Sequence, residues 1–201
     1  PSIFSVSSDT GDCAEKSEFS VDKLSSRSRT NLELITGMNI ADITTADLNA
    51  LTQQDARGLV SYDGLKYLTC VQWLSLGWQQ PQVSRDFRFL KSLTEIRYLD
   101  LSNTAFTDVE LLAPLKKLET IALPHGFQAV PDLAQITRLR RISAPAARTC
   151  STEPVLNMPN LETLYLGGRT SSGAGSYHQW TELDELNRDF NISFSPSSRY
   201  L

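Results

Sequence analysis

The sequence predicts an α/β solenoid: a stack of short parallel strands joined by irregular convex turns, with a helical cap at its N-terminal end and a second cap at its C-terminal end. Three observations carry this. An apolar pattern, L-x-x-L-x-x-L-x-L, returns at a nearly fixed interval. The positions that alternate with its last two apolar residues must face the other side of a strand. Ahead of the first copy, the spacing turns helical and carries a capping signal. The copies read Leu68, Val71, Leu74, Leu76; Leu93, Ile96, Leu99, Leu101; Leu115, Leu118, Ile121, Leu123; Ile136, Leu139, Ile142, Ala144; and Met158, Leu161, Leu164, Leu166. The last apolar position advances in steps of 25, 22, 21 and 22. Periods of roughly 20 to 29 residues with this pattern define a leucine-rich repeat, in which a single coil cannot bury its apolar face and must stack on its neighbours.

Residues 1–30 hold nine serines among scattered charges and few large apolar side chains, which reads as a flexible Ser-rich N-terminal arm. Residues 31–63 read as a helical cap and a degenerate first repeat. Helical spacing runs from Asn31 to Gln54 through Leu32, Ile35, Leu48 and Leu51, and Thr44-Thr45-Ala46-Asp47 has the form of a capping box. Such a cap covers leucines that the first coil would otherwise expose. Residues 64–170 are the leucine-rich repeats. In the most regular one, Leu99 and Leu101 point inward, Phe106 and Val109 fill the turn, and Pro114 ends the return segment. The position three beyond the second strand leucine, where an asparagine can both donate to and accept from backbone groups, reads Gln79, Thr104, Gly126, Ala147 and Arg169. That, together with Pro124, Pro131, Pro145 and Pro154, predicts convex turns that differ from coil to coil. Residues 171–201 are a Gly/Ser loop followed by a closing coil: Trp180, Leu183, Leu186 and Phe190 at helical spacing, then Phe190, Ile192 and Phe194 alternating as in a strand.

Composition narrows the function classes. With 40% hydrophobic and 21% charged residues the chain is an ordinary globular protein. No stretch approaches the roughly 18 consecutive apolar residues of a membrane span, so membrane insertion is not expected. Opening at Pro1 with no initiator Met and no basic-then-apolar leader, the sequence fits either a mature form whose leader has been removed or a piece of a longer chain. The repeats carry 12 Lys or Arg against 9 Asp or Glu, too weak an excess for a nucleic-acid footprint. The histidines, His125 and His178, are isolated, and the three cysteines show no C-x-x-C spacing, so no metal and no cofactor are expected. Cys70 and Cys150 lie about three coils apart, near 15 Å at one strand spacing per coil, well beyond the roughly 7 Å that a disulfide tolerates between Cα atoms. A Cys13 to Cys70 staple in an oxidising compartment is the favoured arrangement, with three reduced thiols as the alternative.

Catalytic arrangements fail on geometry. Cys150 falls on a convex return while His125 sits at the rim, so they do not converge as a nucleophile and base. The glycine-rich run Gly167–Ser176 lacks a following Lys-Ser or Lys-Thr for a phosphate cradle. Asn191-Ile192-Ser193 matches a glycosylation sequon but falls in a strand. The chain is therefore expected not to be an enzyme. Alternation instead places Trp73, Tyr98, Asp100, Arg141 and Tyr165 on the concave surface, with Trp78 and His125 at its rim. Trp, Tyr and Arg are the types that dominate binding hot spots, whereas the bland alternative is sideways packing between adjacent strands.

The runs Thr44-Thr45-Ala46-Asp47-Leu48-Asn49-Ala50-Leu51, Asp55-Ala56-Arg57-Gly58-Leu59 and Tyr62-Asp63-Gly64-Leu65-Lys66-Tyr67-Leu68 resemble the segment that joins the helical cap to the repeats in bacterial internalin-like proteins. The turns Thr107-Asp108-Val109 and Leu112-Ala113-Pro114-Leu115 are similar to that family's short convex turns. The resemblance covers about residues 40–170. It implies a secreted or surface-exposed protein-binding module, extracellular or periplasmic, that engages a partner such as a host protein through its concave face. A monomer is expected. The alternative is an immunity protein, periplasmic or cytoplasmic, that uses the same surface to neutralise a bacterial toxin.

Overall fold

A computed structural model describes residues 13, 19–59, 61–77, 86–127, 129–144, 154–155, 157–166 and 191–194. Two helices, α1 (Ser26–Thr36) and α2 (Thr45–Asn49), precede seven short strands: β1 (Gln53–Asp55), β2 (Trp73–Ser75), β3 (Tyr98–Asp100), β4 (Thr120–Ala122), β5 (Arg141–Ala144), β6 (Thr163–Leu166) and β7 (Asn191–Phe194). The strands form one parallel sheet in sequence order, as consecutive coils of a solenoid require.

Register is fixed by a repeated backbone device. The carbonyl just before each of the first five strands, on Thr52, Gln72, Arg97, Glu119 and Arg140, accepts two successive amides from the next coil at 2.7–3.1 Å. The apolar positions therefore align in columns, Leu74 beside Leu99, Ile121, Ile142 and Leu164. Every described side chain of the repeating pattern, from Leu68 to Leu164, is buried. On the convex side, 3-10 helices at Leu65–Tyr67, Arg88–Ser92 and Val109–Leu112 carry the chain back, and Tyr62, Phe87, Phe106 and Phe127 form an aromatic column with ring centres 5.0–6.2 Å apart. Thr104 takes over part of the missing asparagine's work: its hydroxyl donates to the Leu101 carbonyl and accepts from the Phe106 amide.

The cap differs in detail from its sequence reading. The helix expected from Asn31 begins at Ser26, so the 30/31 boundary falls inside α1, and a 3-10 turn at Val21–Lys23 precedes it. Ser25 supplies the N-cap by accepting from the Ser28 amide. The helical stretch also stops short of Gln54. Gly37, at φ 68°, ends α1, α2 covers only Thr45–Asn49, and Gln53–Asp55 is already the first strand. The capping box forms as read, with Thr44 and Asp47 satisfying each other's backbone amides. Asn31, fully buried, donates to the Ser61 and Asp63 carbonyls and so locks α1 onto the first coil. The close approach needs Gly64, where a Cβ would lie 3.2 Å from the Ser28 carbonyl and φ is 92°.

Cys13 and Cys70 are joined by a disulfide with Cα atoms 5.1 Å apart, and the Thr69 hydroxyl donates to the Cys13 carbonyl. Cys150, the Gly/Ser loop and the helix expected near Trp180 lie outside the described residues, whereas the expected closing strand is present as β7.

Two outcomes test this packing. Leu99→Ala, at a wholly buried site in the middle of the stack, is expected to lower stability by about 2–5 kcal/mol in urea unfolding, because neighbouring coils cannot close the cavity. Cys13→Ser with Cys70→Ser opens a covalent loop of sequence separation 57. It is expected to cost up to about 4 kcal/mol on a chain-entropy account, seen as a lower melting temperature that reductant reproduces in the parent protein.

Candidate protein-binding face

The strand register sorts the concave side chains into two columns. Trp73, Tyr98, Thr120, Arg141 and Thr163 share the first; Asp55, Ser75, Asp100, Ala122, Ser143 and Tyr165 share the second. Of the residues singled out from sequence, three come together at the N-terminal end. Trp73 and Tyr98 stack with centroids 5.3 Å apart and planes inclined by 8°, both half-buried. Asp100 lies two residues along the same strand as Tyr98. Its Oδ1 accepts from the Ser102 amide (2.9 Å) and hydroxyl, and its Oδ2 from the Ser75 hydroxyl (3.0 Å). Gly77 makes room for it, since a Cβ there would stand 2.6 Å from Asp100 Oδ2. Burial raises the Tyr98 phenol above its ordinary pKa, and the Asp100 carboxylate raises it further by disfavouring a second negative charge.

The other predicted residues stand apart. Arg141 is exposed two strands from Tyr98, and Tyr165 is half-buried in the second column of β6. His125 is exposed in the turn beyond Leu123. Trp78 lies outside the described residues.

Sequence reading missed a charge ladder along one side of this face. Immediately before successive strands stand Arg97, Glu119, Arg140 and Glu162; Arg97 pairs with Glu119 at 2.9 Å and Arg140 with Glu162 at 2.6 Å. The alternation of sign was present in the residues but becomes visible only when coils of unequal length are aligned by strand. At the N-terminal end Arg57 pairs with Asp55 at 2.5 Å, which holds the Asp55 carboxyl below its ordinary pKa through the side-chain hydrogen bond. Elsewhere, between α1 and the first coils, lies a cavity of about 460 Å³ lined by residues that include Lys23, Tyr62, Lys66, Asp86 and Arg88. Its Asp86 is already satisfied by Arg88, whose hydrogen bonds keep that carboxyl at about 2. Among the described residues there is no cluster of His, Cys, Asp or Glu suited to a metal ion, and no helix is long and apolar enough to cross a membrane.

Parallel coils with a leucine core, a helical cap and an open concave sheet define a leucine-rich repeat solenoid. Among solved structures, internalin C2 of Listeria monocytogenes is similar over 86% of this chain and 87% of that one, with a TM-score of 0.50 at 20% identity. An internalin (inlF) of the same organism aligns over 70% of this chain, at 19% identity and a TM-score of 0.48. This chain spans 48% of that internalin's length. At this level of identity the likeness to internalin C2 shows the fold alone. No protein-family model and no curated protein sequence matches the chain.

The coupling between Tyr98 and Asp100 is open to titration. Asp100→Asn is expected to bring the Tyr98 phenol down toward its ordinary value near 10 while burial keeps it above. NMR of ring-labelled tyrosine would follow it, and an unchanged or higher midpoint would contradict the electrostatic coupling.

Proposed function

We propose that this chain is the non-enzymatic recognition module of an exported bacterial protein, a monomer that binds a host protein through its concave sheet. The observation that carries the reading is the Trp73–Tyr98 stack, two large rings held parallel on the open side of the sheet. Rings packed against each other lose little freedom when a partner covers them, and Trp, Tyr and Arg supply most hot spots. The concave side chains are spread over several strands instead of converging on one reacting point, which favours recognition over catalysis. The Cys13–Cys70 bond, buried at both ends, supports export, because disulfides persist in oxidising compartments.

The experiment is capture from host-cell surface extracts and, in parallel, from the producing bacterium. Trp73→Ala with Tyr98→Ala is expected to weaken binding of the captured partner by more than about 1 kcal/mol, roughly fivefold in Kd. Unchanged binding by a folded double variant would remove the concave aromatic reading. Capture of a bacterial toxin in place of a host protein would reassign the module as an inhibitor.

A further inference from the structure

A second place for a ligand lies away from the concave sheet. The cavity of about 460 Å³ between α1 and the first coils falls within the size range of small-molecule sites and is far larger than a water-sized ion requires. Three cations, Lys23, Lys66 and Arg88, and two carboxylates, Asp63 and Asp86, line it, which leaves one positive charge in excess. Arg88 and Asp86 hold each other at 2.6 Å. Lys23 and Lys66 have no ion-pair partner among the described residues. Lys66 instead lies 5.0 Å from the centre of the Tyr67 ring, a contact that positions its ammonium without cancelling its charge.

The first turn of α1 borders the same space through Ser25 and Ser28. That turn contains no acidic residue, so the partial positive charge of the helix N-terminus is not offset within it. Tyr62 adds an independent observation. It is only 3% exposed and in ring contact with Phe87 and Phe89, yet its hydroxyl has no hydrogen-bond partner among the described residues. Burial alone raises its phenol above the ordinary value. A buried donor left unpaired is costly, and this one belongs to a residue that lines the cavity.

We propose that this cavity binds a sugar acid, a carboxylated monosaccharide unit standing alone or at the end of a glycan, with the carboxylate toward Lys23, Lys66 and the first turn of α1 and the sugar hydroxyls toward Tyr62 and Asp63. One carboxylate matches the one positive charge in excess, and charge-assisted bonds from the two ammonium groups hold it. Asp63 is exposed, and its backbone is fixed by Asn31, which donates to its carbonyl. An ionised carboxyl only accepts, so the occupant must bring donors to Asp63, which sulfate or acetate lacks and a sugar supplies. A neutral sugar would serve Asp63 and Tyr62 but leave both lysines unanswered. Neither Trp73 nor Tyr98 lines the cavity, so this site is additional to recognition on the concave face and does not rest on it.

The test uses the full chain with its disulfide intact. Probes are an array of paired glycans that differ only in ending in glucuronic or sialic acid or in a neutral sugar, and free glucuronic acid followed by calorimetry. Acidic members are expected to be retained about tenfold over their neutral partners. Lys23→Gln with Lys66→Gln, both at exposed positions, is expected to lower that retention about tenfold at an unchanged melting temperature. Tyr62→Phe, which keeps the ring and removes only the hydroxyl, is expected to lower it about fivefold. Trp73→Ala with Tyr98→Ala is expected to leave it unchanged, which separates this site from the concave face. Equal retention of acidic and neutral members, or retention that survives either the lysine pair or the Tyr62 substitution, would overturn the site. Sulfate competing as well as glucuronic acid at equal concentration would reduce it to a general anion patch and overturn the sugar assignment. Binding of the glycan-borne acid without the free one would uphold the site and assign its ligand to a glycan end.

Discussion

Lateral burial of each coil's leucines against those of the next is the constraint on which everything else in this protein depends. A three-residue strand has too little backbone pairing to persist alone, and one coil's apolar face is useless without a neighbour to cover it. Once Leu74, Leu99, Ile121, Ile142 and Leu164 are forced into one column, the residues between them are forced outward. The concave face is thus a by-product of core packing, and its chemistry can vary without disturbing the fold. The doubly bonded carbonyls ahead of the strands add precision: each coil is seated by two amides on one oxygen, so a slip would disturb backbone pairing as well as the core.

The same independence explains the character of the surface. Where side chains face the core, only apolar types are admitted. Where they face outward, the protein assembles an aromatic stack, a hydrogen-bonded carboxylate and a guanidinium within four strands. The charge ladder along the side neutralises itself in pairs of modest individual worth, since Arg97 and Glu119 are each about a third exposed.

The repeat core was legible in the sequence because each leucine column is a local requirement repeated five times, and alternation then placed Trp73, Tyr98 and Asp100 on the concave side. The capping box was legible because Thr44 and Asp47 lie three residues apart. The start of α1 was not. Its first turn, Ser-Arg-Ser-Arg, has no apolar rhythm, and Ser25 caps it without the acidic partner that makes a box recognisable. Its position comes from tertiary contacts, above all Asn31 on the first coil. Stacking of Trp73 on Tyr98 and the pairing of Arg97 with Glu119 likewise required knowing which residues of unequal coils lie side by side, information that resides in the register.

The disulfide gives this otherwise uniform stack a direction. In a linear array where each coil touches only its neighbours, opening spreads inward from an end, and the Cys13–Cys70 bond closes the N-terminal end covalently. Trp73 lies three residues from that bond and Tyr98 one coil further on, so the aromatic wall occupies the part of the array slowest to unravel. Amide exchange should therefore grade along the chain, with Trp73 and Tyr98 among the last segments to exchange and the later coils among the first.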